Sequence, residues 1–154
     1  MRIAAAALGC ALLTACTPGG LPTSGGGSSG ATALVIDINL TNSIPAQIPQ
    51  GNAGAYAPLL AHVAVGSTIR FTNTDGFSHT ATLIPGNPAT FPSAYPFTAA
   101  ALSQTGAKLS QGWSTGTLPA GSSSQTLTAD VAGTYVFGCF YHYGAPMRGA
   151  IVVQ

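Results

Sequence analysis

The sequence predicts an all-β protein, an antiparallel β-sandwich, and three observations lead to that fold class. Several short segments alternate apolar and other residues with a period of two, which is typical of half-buried strands. Gly, Ser, Asn and Asp residues that favour turns separate these segments. Hardly any stretch has the periodicity of a helix. A chain of 154 residues with many short strands is long enough for one core between two packed sheets.

The predicted strands follow one another with turn signals between them. The first covers residues 34–40, where Leu and Ile occupy every second position. The remaining strands are expected at residues 59–65, 68–73, 79–84, 124–130, 134–139 and 150–153. A short helix is expected over residues 99–110.

The N-terminus has the features of an export signal. Arg2 gives it a positive tip, and the eleven residues 3–13 form an apolar run too short to cross a bilayer. The run ends in Leu-Thr-Ala-Cys, which resembles the lipobox of bacterial lipoproteins, where cleavage precedes the Cys and the Cys becomes lipid-modified. We therefore expect residues 1–15 to be a signal peptide and Cys16 to be a lipid anchor.

The rest of the chain divides into a tether and one domain. Residues 16–30 are expected to hold the lipidated Cys and a flexible linker of Gly, Ser and Pro, and residues 31–154 the folded domain. Several acyl chains on one residue would anchor the protein stably without crossing the membrane. The expected product is an exported, monomeric, membrane-anchored lipoprotein that faces the periplasm or the cell exterior.

The charge of the chain excludes some classes of function. Loss of Arg2 with the signal leaves three of the four basic residues against three acidic ones, so the formal charge of the mature chain is zero. Without a basic stripe, nucleic acid is excluded as a partner. The three acidic residues are scattered, and no nucleophile, base and orienting acid form a recognisable set. We therefore expect that the protein is not an enzyme.

Three potential metal ligands lie together near the C-terminus. Cys139, His142 and Met147 have the spacing Cys-x-x-His-x-x-x-x-Met. A thiolate, an imidazole and a thioether form a soft ligand set that favours copper, and a trigonal site with a weak axial Met needs a second imidazole. His79 is the candidate for it, whereas His62 lies in an apolar strand without a partner motif and is expected not to bind metal.

At this point the sequence resembles the cupredoxins, and among them the plastocyanin-like type 1 (blue) copper proteins. The C-terminal match carries the ligand spacing and continues into Gly144, Ala145 and Gly149; the upstream match consists of Asn73, Gly76, Phe77 and His79. The resemblance implies a Greek-key β-sandwich that binds one copper ion, which alternates between Cu(II) and Cu(I). It also implies that His79, Cys139 and His142 are ligands and that Met147 is the axial one.

The resemblance implies roles for further residues. Asn73 and Thr80 would be polar groups near the ligands that tie the two ligand segments together, although plastocyanins commonly carry Asn where this chain has Thr80. His142 would present one ring edge at the surface, where an apolar patch would dock redox partners. That patch would consist of Gly76, Phe77, Tyr143, Ala145 and Pro146.

The leading hypothesis is an electron carrier between membrane or periplasmic redox partners, an unidentified donor and an unidentified acceptor. The alternative is a copper-binding protein for copper delivery or sequestration. A metal-free domain with a structural or adhesive role would not need all four candidate ligands, and a zinc site would have no use for the Met. Multicopper oxidases and nitrite reductases need more histidines than the three in this chain. Because Cys10 would leave with the signal and Cys16 would carry lipid, no disulfide to Cys139 is expected.

Overall fold

The computed structural model describes residues 30–154, which form two main β-sheets. The predicted signal peptide, Cys16 and all but the last residue of the predicted linker lie outside the described residues. The first sheet has the strand order β10-β6-β1-β4. Its strands are β1 (Ala33–Ile38), β4 (Tyr56–Ala57), β6 (Thr68–Asn73) and β10 (Leu127–Thr128).

The second sheet has six strands in the order β5-β12-β11-β7-β9-β8. These are β5 (Leu60–Val63), β7 (Thr82–Leu83), β8 (Gln104–Thr105), β9 (Ser114–Thr115), β11 (Gly133–Gly138) and β12 (Arg148–Val153). A separate hairpin consists of β2 (Ala46–Ile48) and β3 (Gly51–Ala53). Most neighbouring strands in the two large sheets are not consecutive in the chain, as in a Greek-key topology.

The β-sandwich is confirmed, and most of its strand pairs are antiparallel as predicted, but two strand pairs are parallel. Strands β1 and β6 pair in parallel over their full length, and β5 pairs in parallel with the last four residues of β12. Each of these pairs joins segments that are far apart in the sequence. An alternating apolar pattern shows which face of a strand is buried but carries no information about the direction of its neighbour.

The main core lies between the two sheets. Alternate side chains of the long strands are buried there: Ile36 and Ile38 of β1, Ile69 and Phe71 of β6, Tyr135 and Phe137 of β11, and Ile151 and Val153 of β12. Four aromatic rings from both sheets and a loop meet in the middle, at centroid distances of 4.8–6.1 Å: Tyr56, Phe71, Trp113 and Phe137. Cys139 and Met147 belong to the same buried cluster, so the candidate ligands lie at one end of this core.

A second, smaller core covers the outer face of the six-stranded sheet. Val136 and Ala150 of that sheet pack under Ile84, Phe97 and Tyr143. The segment after β7 therefore crosses the outside of the sheet and reaches the loop that carries the candidate ligands.

The helix expected over residues 99–110 does not form. The structure has a 3₁₀ turn at Ala99–Leu102, strand β8 and a second 3₁₀ turn at Leu109–Gln111. Gly106 adopts φ +70°, and a Cβ there would collide with the carbonyl oxygen of Gly112, so a sharp bend interrupts the segment. Within residues 30–154 the helical segments are these short turns, and none of them could span a bilayer.

Candidate metal centre

The pairing of two neighbouring strands positions the candidate ligands. Strand β11 pairs with β7 in a register that places Gly138 opposite Thr82. The chain just beyond β11 therefore lies beside the chain just before β7, which brings Cys139 next to His79 and Thr80. His142 and Met147 follow in the loop between β11 and β12.

Three of the four candidate ligands converge. The ligand atoms of His79, Cys139 and His142 all lie within 4.8 Å of one another. The Cys139 Sγ is 3.9 Å from Nδ1 of His79 and 3.7 Å from Nδ1 of His142. His79 and Cys139 are fully buried, whereas His142 is half-buried. Two imidazoles and one thiol from distant parts of the sequence thus converge on a single site, and only His142 among them reaches the surface.

Met147 lies on the same loop and is fully buried. Its carbonyl oxygen accepts a hydrogen bond from the N–H of Cys139 at 3.1 Å, and its own N–H donates to the carbonyl of His142 at 3.3 Å. These two bonds close the loop on itself. The axial role of the Met147 thioether remains a prediction.

Thr80 joins the two ligand segments. Its backbone N–H donates to the Cys139 Sγ at 3.4 Å, and its hydroxyl oxygen accepts from the N–H of Phe140 at 2.8 Å. The hydroxyl therefore provides a tie between the segments even though this chain lacks the Asn that plastocyanins commonly have there. Tyr56 holds Thr80 from the other side, because its hydroxyl donates to the Thr80 carbonyl at 2.6 Å.

Asn73 ties the His79 segment to the chain around Leu118. Its side-chain amide donates to the carbonyls of Phe77 at 2.8 Å and Leu118 at 2.9 Å. In the described residues its side chain has no hydrogen bond to the loop that carries Cys139. Asn73 therefore shapes the turn before His79, and the tie that we expected between the ligand segments comes from Thr80.

Asp75 contacts a candidate ligand and was not singled out by the sequence. Its Oδ2 lies 3.1 Å from Nε2 of His79, and only 6% of the residue is exposed. The signal that could have found it is its position four residues before His79, in a chain with only three acidic residues. The Thr-Asp-Gly sequence around it is also typical of a turn, which accounts for an Asp at this position without a metal site.

The environment favours neutral imidazoles and a protonated thiol in the free protein. Burial lowers the pKa of His79, partly offset by Asp75, and lowers the pKa of His142, with a further decrease from His79. Burial also raises the pKa of the Cys139 thiol, against hydrogen bonds from Thr80 and other backbone N–H groups. Neutral imidazoles are the form that binds metal, and a metal ion would displace the thiol proton.

The donor set fits copper. Two imidazole nitrogens and a cysteine sulfur are the ligands of the trigonal type 1 site, and a Met on the same loop is available as the weak axial ligand. The buried thiol sits among apolar side chains, where a thiolate without a cation would be costly. Of the residues described, these three form the one metal-ligating group of His, Cys, Asp or Glu side chains.

The predicted docking patch needs one correction. Gly76, Phe77 and Ala145 are exposed and Pro146 is half-buried, but Tyr143 is only 3% exposed, so the expected surface position of Tyr143 is wrong. Its ring lies under the Arg148 guanidinium at 4.1 Å, and its hydroxyl donates to the Pro92 carbonyl.

Tyr141, two residues before Tyr143, is the exposed tyrosine of this loop. It is 44% exposed, as is Phe77, and both rings lie beside the ring of His142, at 6.1 and 5.5 Å between centroids. The apolar pattern of the sequence does not show which of two tyrosines in the same turn is buried and which is exposed.

Comparison with known families decides the identity of this centre. Residues 46–154 match the family described as copper binding proteins, plastocyanin/azurin family. The chain belongs to this family. Its cofactor is copper, and the three converging side chains are the candidate copper site of this plastocyanin/azurin family member. A search of curated proteins finds no match.

Several solved structures are similar to this plastocyanin/azurin family member. One is a novel purple cupredoxin from Nitrosopumilus maritimus, with 22% identity over 78% of this chain and 98% of that chain, at a TM-score of 0.47. Another is a reduced auracyanin from Roseiflexus castenholzii, with 23% identity over 82% of this chain and 98% of that chain, at a TM-score of 0.48. A reduced point mutant of amicyanin has 19% identity over 79% of this chain and 82% of that chain, at a TM-score of 0.48.

Proposed function

We propose that the protein is a mononuclear type 1 copper protein that carries single electrons between a redox donor and a redox acceptor. The observation that supports this most strongly is the convergence of His79, Cys139 and His142 on one site, with Met147 buried on the same loop. Copper bound by such a set supplies one-electron chemistry between Cu(II) and Cu(I). The remaining residues hold the donors in place and control access to them.

The surroundings of the donors suit electron transfer because they restrict movement. Thr80 links the His79 segment to the Cys139 segment through both its N–H and its hydroxyl group. The Met147 backbone links both ends of the ligand loop. A site whose ligands barely move between oxidation states needs little reorganisation, and buried donors in a hydrogen-bonded frame meet that requirement.

The half-buried ring of His142 offers the shortest route for electrons to the surface. Phe77 and Tyr141 flank this ring and are both exposed, and the neighbouring Ala145 is exposed as well. None of these three exposed residues, Phe77, Tyr141 and Ala145, carries a charge, so electrostatic steering of a partner to this surface would be weak. Small interfaces of low affinity are typical of redox encounters, and an uncharged apolar patch fits such a contact.

The same burial disfavours the alternative of copper delivery or sequestration. His79, Cys139 and Met147 are all fully buried, so a copper ion could leave only past His142. Delivery to another protein requires exchange of the ion, which this arrangement hinders. Rapid transfer of Cu(I) from the loaded protein to an apo-acceptor would favour the delivery function over the carrier.

We further propose that the protein is exported and is a monomer tethered to a membrane, facing the periplasm or the cell exterior. Residues 1–15 would be removed, Cys16 lipid-modified, and the linker would give the domain reach from the membrane. The short apolar run and the lipobox resemblance support this proposal. Cys16→Ser should move the expressed protein from the membrane fraction to the soluble fraction; retention in the membrane fraction would reject the anchor.

The proposed function is tested by adding Cu(II) to the purified protein. An intense visible charge-transfer band should appear, ascorbate should bleach it, and the Cys139→Ser variant should lack it. The exposed His62 provides a matched control, since His62→Gln should keep the band that His142→Gln loses. Met147→Leu should change the reduction potential, and an unchanged potential would reject the axial role while leaving the other three ligands in place.

A further inference from the structure

The carboxylate of Asp75 is held by an unusually complete set of hydrogen bonds beside a candidate ligand. Its Oδ2 accepts the N–H groups of Leu40 at 2.7 Å and Thr41 at 3.1 Å. Its Oδ1 accepts the Thr41 hydroxyl at 2.6 Å and the N–H of Gly76 at 2.8 Å. The backbone N–H of Asp75 itself donates to the Asn73 side chain at 3.0 Å. These contacts fix the position of the carboxylate from both sides.

The contacts of Asp75 also determine the tautomer of His79. Every backbone partner of the carboxylate is an N–H donor, so both of its oxygens act as acceptors. The Nε2 of His79, 3.1 Å from Oδ2, must therefore carry a proton, because an unprotonated nitrogen would face an oxygen lone pair. In a neutral imidazole the other nitrogen, Nδ1, then has its lone pair free, and this is the nitrogen that faces the Cys139 sulfur.

We propose that Asp75 is a positioning residue that fixes the tautomer and orientation of His79 and lowers the reduction potential of the bound copper. The proposal rests on the proposed function, since it concerns the same site. A carboxylate that accepts the distal N–H of a metal-bound imidazole makes that imidazole a stronger donor. A stronger donor, together with a nearby negative charge, stabilises Cu(II) more than Cu(I).

A purely structural role for Asp75 would give different results. The bonds from Leu40, Thr41 and Gly76 alone would make Asp75 a clamp between two loops, and its loss would then lower stability without changing the redox properties of the site. The direct contact with a fully buried ligand adds the redox effect. The two roles separate in an experiment that measures the reduction potential and the imidazole tautomer besides stability.

The first test compares Asp75→Asn with Asp130→Asn in the copper-loaded full chain. Asp130 is the matched control, since it also accepts a backbone N–H and a hydroxyl group, both from Ser110, but does not contact a ligand. Loss of an outer partner of a ligand costs about 10–100-fold in metal affinity. If Cu(II) loses about tenfold more affinity than Cu(I), the reduction potential of Asp75→Asn rises by about 59 mV. An unchanged potential, or an equal rise in Asp130→Asn, would overturn the proposal.

Thr41→Val shows whether the hydrogen bond to His79, rather than the loop clamp, sets the potential. This variant removes the hydroxyl donor to Oδ1 but keeps the carboxylate and its contact with His79. We expect the reduction potential of Thr41→Val to equal that of the unmodified protein. A shift as large as that of Asp75→Asn would mean that loop position alone controls the site, and the proposal would be wrong.

A second measurement needs neither copper nor a folded Asp75 variant. In the ¹⁵N-labelled metal-free full chain, the His79 signals should show a proton on Nε2 and none on Nδ1. A proton on Nδ1, or an even mixture of tautomers, would overturn the proposal. Failure of the unmodified protein to give the copper band would instead reject the proposed function, and the tautomer result would still decide whether Asp75 orients His79.

Discussion

Thr80 joins the two segments that supply the candidate ligands through two hydrogen bonds. Replacing Thr80 with Val removes one of these bonds while the side chain keeps almost the same shape. In Thr80→Val the N–H of Phe140 loses the acceptor that now lies 2.8 Å away, while the Thr80 N–H still reaches the Cys139 sulfur. A buried N–H without a partner costs about 1–3 kcal/mol. Because Phe140 is half-buried and water can reach its surroundings, we expect the lower part of that range, about 1–2 kcal/mol.

The loss is measured by urea unfolding of the metal-free protein, followed by the fluorescence of Trp113, the single tryptophan, which is buried in the core. The midpoint should fall at constant slope, since the surface exposed on unfolding is unchanged. Thr80→Ser should retain the tie and most of the stability. In the control Thr72→Val, which removes an exposed hydroxyl pair with Ser123, the change should stay within about 0.5 kcal/mol. Equal stabilities of the Thr80→Val and Thr72→Val variants would refute the argument.

Two further predictions concern packing and pH. A Cβ on Gly149 would lie 2.6 Å from a buried aromatic ring and 3.1 Å from a backbone oxygen, so Gly149→Ala should cost about 1–3 kcal/mol in urea unfolding, whereas Gly144→Ala, in open space, should cost little. Because folding lowers the pKa values of His79 and His142 from 6.5, their neutral forms favour the folded state above the unfolded pKa, and that stability is lost as the pH falls towards the folded values. Unfolding of the metal-free protein at about pH 7 and about pH 5 should show this loss, and it should be smaller in His142→Gln.

The sequence predicted the strands best where one face is buried along the whole segment. Strand β6 has the predicted bounds, and its burial alternates as the apolar pattern requires. Strand β7 is shorter than predicted, because the chain before it leaves the β11 ladder and forms an isolated bridge between His79 and Leu118. Strands β8 and β9 were missed, since two-residue strands rich in Ser, Thr and Gln have no apolar period to detect.

The candidate ligands could be singled out from the sequence because their residue types suit copper and their spacing resembles that of a known family. Cys139, His142 and Met147 lie within one loop, and the sequence needed only one further histidine. The surroundings of the ligands depend on long-range contacts that no local pattern records. Thr41 and Asp75 are 34 residues apart, and only the folded chain shows that they share a hydrogen bond beside His79. The burial of Tyr143 likewise depends on Pro92 and Arg148.

The four candidate ligands differ in how many hydrogen bonds hold them in place, and this difference suggests different roles for them under the proposed function. His79 is held by Asp75, Cys139 by the N–H of Thr80, and Met147 by its backbone bonds to Cys139 and His142. The His142 ring, in contrast, has a single hydrogen-bonding contact within residues 30–154, with the Cys139 sulfur. It is also the one candidate ligand that is not fully buried. Under the proposed function, the three firmly held candidate ligands would define the site, and His142 would admit the ion and conduct electrons without disturbing the fold around it.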